Sequence, residues 1–297
     1  MFIATLIAAE RLTKDDVFAV ADLIEDAGVR AYAWSWLDDG SAADISCKAL
    51  AHEGPRIRAA IEGKRPGVDM VVQREDGLRR RSLLVADMDS TMIEVECIDE
   101  LADYAGIKGE IAAITERAMS GELDFATALR ERVALLKGLD EAAIARCLDE
   151  RVGITPGAIQ LVRTMKREGA RTVLVSGGFT AFADKVGEAI GFDAVVANEL
   201  QVESGRLTGA VGRPIVGARA KRDALLDAAA LAGIDPEESL AVGDGANDIP
   251  MLEAAGLGIA FSAKPAAAAA ADARIEHNDL TALLYVQGYK KSEWEPG

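Results

Sequence analysis

Positive charge is scarce in this chain. Its 33 lysines and arginines stand against 49 aspartates and glutamates, which leaves a net charge of -16 over 297 residues. So acidic a chain offers no general surface to nucleic acid or to an anionic membrane, because both need a basic face. A phosphorylated ligand would need cations placed locally. Cysteine is scarce too. Cys47, Cys97 and Cys147 lie far apart without metal-ligand spacing, so reduced thiols in a cytoplasmic protein are expected. The opening MFIATLIAAER lacks a basic leading segment and meets Glu10 early, so it reads as a strand and not as a leader peptide. No stretch is apolar for long enough to span a membrane. No internal repeat is evident.

Half of the residues are hydrophobic, which is enough for a sizeable core, and the length allows one large domain with an appendage. The chain is organised around Leu83 to Thr91, LLVADMDST. Leu83, Leu84, Val85 and Ala86 form an uncharged run suited to a strand buried on both faces of a parallel sheet. The run stops at Asp87 and Asp89. Two carboxylates this close are costly inside a core. At the carboxyl end of a parallel strand they face the crevice where such sheets bind ligands, and a divalent cation can offset their repulsion. Taken alone, the stretch reads better as an acidic turn with a helix cap; the downstream motifs reverse that.

Residues 1 to about 75 read as a small α+β domain. MFIATLIAA is a strand. Val17, Val20, Ala21 and Ile24 recur at helical spacing, with Thr13 as N-cap and Gly28 as stop. AYAWSWLDD and AADISCKAL are strands around a turn at Asp39 and Gly40. Strand, helix, strand, strand resembles the ACT-like modules attached to metabolic enzymes, which implies regulation or pairing of two copies. The charged stretch from Arg74 to Arg81 is expected to be a linker.

Residues 76–297 form the larger unit. From about residue 95 to 151 the pattern is helical, with apolar residues at three- and four-residue steps punctuated by Gly106, Gly121 and Gly138. An insertion of this length between two core strands often acts as a lid. RTVLVSGG is the next strand, FDAVVANELQVESGRLTGAV a strand and a hairpin, KRDALLDAAALAG a helix opening at Lys221, and SLAVGDGANDIPML a strand running into an acidic loop. LGIAFSAKP adds a strand, the alanines after Pro265 a helix, and KKSEWEPG a frayed end. Strands alternating with helices predict a doubly wound parallel sheet.

In this order, DMDST, VSGG, Lys221 and GDGAND resemble the haloacid-dehalogenase-like superfamily over roughly residues 80–285. DMDST followed by ECIDELA, the helical insertion and GDGAND resembles the phosphoserine phosphatases within it. The resemblance implies a Rossmann-like core under a helical cap. It also implies Mg²⁺-dependent hydrolysis of O-phospho-L-serine through an aspartyl-phosphate, the last step of serine biosynthesis. Asp87 would be the nucleophile and Asp89 the general acid and base. The resemblance implies metal ligation by the Asp87 side chain, the Asp89 carbonyl and Asp244, with Asp248 orienting metal-bound water. Ser176, Gly177, Lys221 and Asn247 would meet the phosphate. Glu96 would receive the ammonium and Arg132 the carboxylate, with Met119 and Phe125 closing the apolar side. The neighbouring reading is a phosphatase or phosphotransferase for another small phosphorylated metabolite.

Overall fold

The computed structural model of the chain describes residues 1–75, 77–119 and 122–297, without the Met119 side chain. The first unit runs β1 (Phe2–Ala8), α1 (Lys14–Asp26), β2 (Arg30–Asp38), β3 (Ala42–Lys48), α2 (Gly54–Ile61) and β4 (Val68–Arg74). Its antiparallel sheet has the order β2-β3-β1-β4, the β-α-β-β-α-β ferredoxin-like arrangement. Thr13 caps α1 as the sequence predicts. Its hydroxyl accepts from the Asp16 N–H (3.2 Å), and Asp16 in turn accepts from the Thr13 N–H (2.9 Å). Such a box is worth about 1 kcal/mol. The sequence reading did not include α2 and β4.

The second unit starts with β5 (Leu83–Ala86) and a wide turn, Met88–Met92. The helical insertion follows as α3 (Cys97–Tyr104), α4 (Lys108–Met119), α5 (Phe125–Leu135) and α6 (Ala142–Arg151). Then come α7 (Ala158–Arg167), β6 (Arg171–Phe179), α8 (Thr180–Ile190), β7 (Ala194–Asn198) and the hairpin β8 (Leu200–Glu203) and β9 (Arg206–Val211). The chain continues through α9 (Ala218–Ala232), β10 (Ser239–Gly243), α10 (Ile249–Ala254), β11 (Leu257–Phe261), α11 (Pro265–Ala270), β12 (Ala273–Ile275) and α12 (Ala282–Val286). Helix α9 starts at Ala218, not at Lys221, so Lys221 lies within its first turn and its side chain is free to point at the sheet.

The parallel sheet has the order β12-β11-β10-β5-β6-β7. Every residue of β5, β10 and β11 is buried. Alternation sorts the side chains of β5. Leu84 and Ala86 pack with α7 and α8 through Leu161, Val162, Phe182 and Val186. Leu83 and Val85 pack with α9 and α10 through Leu225, Met251 and Leu252. Full burial of such a side chain stabilises by roughly 1.5–3 kcal/mol. From β5 the order runs one way to β6 and β7 and the other way through β10, so the strand order reverses beside β5. A ligand crevice is expected at that reversal.

The charged stretch before β5 is tied down at Arg79. Arg79 makes a two-pronged pair with Asp44, Nη1 to Oδ2 and Nη2 to Oδ1, both at 2.7 Å, and its Nε donates to the Val286 carbonyl (3.0 Å). A guanidinium fork on a largely buried carboxylate fixes orientation as well as distance. Nearby, Asp69 accepts from the Glu276 (2.9 Å) and Asn278 (3.1 Å) backbone N–H groups and from Asn278 Nδ2 (2.8 Å). Ile7, Ala42 and Val71 join the core of the larger unit, while Leu6, Ala43 and Met70 stay with α1 and α2. The carboxyl end is not frayed. Trp294 lies 4.7 Å from the Tyr285 ring, and the Glu295 N–H donates to Thr164 Oγ1 (2.8 Å). Among the described residues no helix is long and apolar enough to cross a membrane.

Candidate active site

The carboxyl ends of β5, β6 and β10 converge at the strand-order reversal. Asp87 follows β5, and its N–H continues the ladder onto the Val242 carbonyl (3.0 Å). The chain then turns sharply. Ser90 takes the left-handed conformation (φ 55°), and the Ile93 N–H closes the turn on the Met88 carbonyl (3.0 Å). Asp87 and Asp89 thereby both reach the crevice. The Cys97 N–H at the start of α3 holds Asp89 Oδ1 (3.1 Å), and Ser176 Oγ stands 3.5 Å from Asp89 Oδ2. Gly178 closes against the same atoms: a Cβ there would sit 2.7 Å from Asp89 Oδ2.

Lys221 is fully buried. Its Nζ donates to Asp87 Oδ1 (2.5 Å) and Asp248 Oδ1 (2.6 Å). Burial alone would push this ammonium down, but the two carboxylates outweigh burial and hold it above its ordinary value. Asp248 Oδ2 accepts from the Gly245 N–H (2.9 Å). Burial and the neighbouring Asp248 raise Asp87 despite Lys221, and burial raises Asp89. Asp244 follows β10, and its Oδ2 accepts from Lys264 Nζ (3.0 Å).

Asp87, Asp244 and Asp248 each offer an oxygen, all within 4.8 Å of one another. These three carboxylates face two ammonium groups, Lys221 and Lys264. Hard oxygen donors that outnumber their cations fit a divalent metal ion.

The helical insertion forms the outer wall. Phe125 opens α5 and lies across the backbones of two core glycines. A Cβ on Gly177 would stand 3.1 Å from its ring, and one on Gly217 3.0 Å. Asn247 also stands beside Gly177, its Nδ2 3.8 Å from that Cβ position. Glu96 stands just before α3 and accepts from Ser90 Oγ (2.9 Å); burial raises its carboxyl above the usual range. Arg132 shares the α5 face of Phe125, seven residues on. It is largely buried, and among the described residues it makes no ion pair. Burial lowers its guanidinium, and Asp99, Glu96 and Asp89 act against that. The Met119 side chain lies outside the described residues. The structure thus gathers Asp87, Asp89, Ser176, Lys221, Asp244 and Asp248, with Gly177, Asn247, Glu96, Phe125 and Arg132 around them. Sequence reasoning missed Lys264, Gly178, Gly217 and Ser90. Lys264 had one signal: it lies just past the carboxyl end of β11, the neighbour of β10.

Residues 84–253 match the family of haloacid dehalogenase-like hydrolases. The phosphoserine phosphatase of Archaeoglobus fulgidus is 46% identical over 249 residues, covering 82% of this chain and 72% of that protein. The chain belongs to the phosphoserine phosphatase family of haloacid dehalogenase-like hydrolases. The phosphoserine phosphatase of Albidiferax ferrireducens is 48% identical over 207 residues, covering 68% of this chain and 87% of its own. A solved structure, a probable phosphoserine phosphatase from Vibrio cholerae in unliganded form, superposes with a TM-score of 0.77 at 32% identity. It covers 98% of this chain and 87% of its own. The likeness therefore takes in the first unit as well as the family core.

Proposed function

We propose that the protein hydrolyses O-phospho-L-serine to L-serine and phosphate, with Asp87 as nucleophile. The observation that carries this is the Asp87–Lys221–Asp248 arrangement at the strand-order reversal, with Asp89 two residues on. Lys221 holds Asp87 Oδ1, which leaves Oδ2 without a hydrogen bond among the described residues. That oxygen attacks phosphorus, and the bond from phosphorus to the serine oxygen breaks. Asp89 gives its proton to the departing oxygen. Water then attacks the aspartyl-phosphate, Asp89 takes the water's proton, and the bond to Asp87 breaks, freeing phosphate and the enzyme. The Lys221 charge, Ser176 and the Gly177 backbone meet the phosphate oxygens, with Asn247 beside them. Mg²⁺ held by Asp87, Asp244 and the Asp89 carbonyl would offset the negative charge shared by nucleophile and phosphate, with Asp248 supporting it.

Substrate choice rests on the insertion. Glu96 receives the ammonium, and Arg132, which makes no ion pair among the described residues, holds the carboxylate. Phosphate release from a panel of phosphorylated metabolites, with and without Mg²⁺ and in ¹⁸O-water, tests the reading. Phosphoserine should be the best substrate, chelation should stop release, and solvent oxygen should appear in phosphate. Full activity in excess chelator, or a better substrate lacking the amino-acid end, would refute it.

The reading includes pairing of two copies through the first unit, in a cytoplasmic setting. Supporting it, β2 is an edge strand without one buried residue. Paired antiparallel with itself about Trp34, it sets Arg30 against Asp38 and Tyr32 against Trp36. Sedimentation of wild type and Trp34→Lys tests it: a monomer in both would refute it. The three cysteines are free and buried, in keeping with a reducing compartment.

A further inference from the structure

The carboxylates of the cluster are not equally available to a cation. Asp87 Oδ1 accepts from Lys221 Nζ (2.5 Å) and from the Met88 N–H (2.8 Å). Asp248 has both oxygens taken, by Lys221 Nζ (2.6 Å) and the Gly245 N–H (2.9 Å). Asp244 Oδ2 accepts from Lys264 Nζ (3.0 Å). Among the described residues, Asp87 and Asp244 each keep one oxygen without a hydrogen bond.

Lys264 is tied to Asp244 twice. Its backbone N–H also donates to the Asp244 carbonyl (2.9 Å). Ser262, in the left-handed conformation (φ 43°), turns the chain from β11 towards the end of β10. Glu96 Oε1, 3.8 Å from Lys264 Nζ, draws the ammonium from the other side.

We propose that Lys264 is a positioning residue for metal selectivity: by claiming Asp244 Oδ2 it limits Asp244 to one ligand oxygen, which favours Mg²⁺ over Ca²⁺. The inference rests on the metal reading above. Mg²⁺ requires near-octahedral geometry, keeps several waters and is satisfied by single oxygens. Ca²⁺ takes six to eight oxygens and gains from carboxylates that give both. To obtain the second oxygen of Asp244, Ca²⁺ must displace an ammonium. Lys221 guards Asp87 in the same way, but it is fully buried between two carboxylates of the catalytic machinery. Lys264 is more than half exposed and is the one that can be changed without opening the core.

The test is calorimetric titration of the full chain with Mg²⁺ alone and with Ca²⁺ alone, for wild type, Lys264→Met and Lys264→Arg. Loss of a positive charge should tighten both ions through the field. The proposal requires more: in Lys264→Met, Ca²⁺ should gain on Mg²⁺ by about tenfold in relative affinity, or about 1.4 kcal/mol. Lys264→Arg keeps a donor for Asp244 and should keep the wild-type ratio. Equal tightening of both ions in Lys264→Met, or an unchanged pair of affinities, would overturn the proposal while leaving the metal reading intact. A folded wild type that binds neither ion would overturn the metal reading itself.

Discussion

Gly178 offers a way to move the general acid without touching it. Its backbone lies outside the left-handed region, so alanine is tolerated conformationally. The added methyl would stand 2.7 Å from Asp89 Oδ2, 3.0 Å from Ser176 Oγ and 3.3 Å from Met88 Cε. Ordinary van der Waals contact begins at 3.4 Å, so Asp89 Oδ2 must retreat by about 0.7 Å. All three neighbours are ends of side chains, and the fold can absorb the change. Asp89 cannot retreat freely, because the Cys97 N–H holds its other oxygen at 3.1 Å. A misplacement near 1 Å costs on the order of 10²-fold in rate, so Gly178→Ala should lose about 10- to 100-fold in kcat. KM and melting temperature should change little. The loss should shrink for an aryl phosphate, whose leaving group needs little protonation. Gly109→Ala is the control: nothing lies within 4 Å of its added methyl, and kcat should not change. Steady-state phosphate release on both substrates, with a thermal melt, decides the matter. A folded Gly178→Ala enzyme with wild-type kcat on phosphoserine would refute the role given to Asp89; equal losses on both substrates would place the effect in the aspartyl-phosphate hydrolysis that they share.

Asp87→Asn should abolish turnover in a folded protein, since an amide is not a competent nucleophile; normal phosphate release would contradict the mechanism. Arg132→Ala should lower kcat/KM for phosphoserine by tens- to thousands-fold, from roughly 2–5 kcal/mol for one partner of a desolvated charge pair, and should spare an aryl phosphate. Equal losses on the two substrates would return Arg132 to a structural role. Arg79→Ala strips Asp44 of its fork between the two units and should destabilise by roughly 3–5 kcal/mol, read as a lowered urea midpoint. An unchanged midpoint would mean that apolar packing alone docks the first unit.

What could be read in the sequence was local or periodic. The run from Leu83 to Ala86 marks a buried strand by itself, but its end at Asp87 reads as a crevice only with VSGG, Lys221 and GDGAND downstream. Thr13, with Asp16 three residues on, marks a helix start. What escaped is long-range and aperiodic. Asp44 looks like any charged residue of a half-exposed strand until Arg79 is seen to fork onto it. Likewise, the carboxyl tail reads as polar and loose until Trp294 meets Tyr285.

Net charge misleads in one respect only. A chain at -16 would be expected to gather its few cations where an anionic substrate binds. The site instead sets Lys221 and Lys264 among more carboxylates than they can neutralise. Lys221 shares one charge among Asp87, Asp248 and an incoming phosphate, and one ammonium cannot neutralise all three. The chain's own cations can orient the nucleophile and the metal ligands, but they cannot complete the charge balance. The cluster of Asp87, Asp244 and Asp248 therefore fits a divalent cation. The same deficit explains why Lys264 matters at the rim: where carboxylates outnumber ammonium groups, the position of each ammonium decides which oxygens remain for the metal.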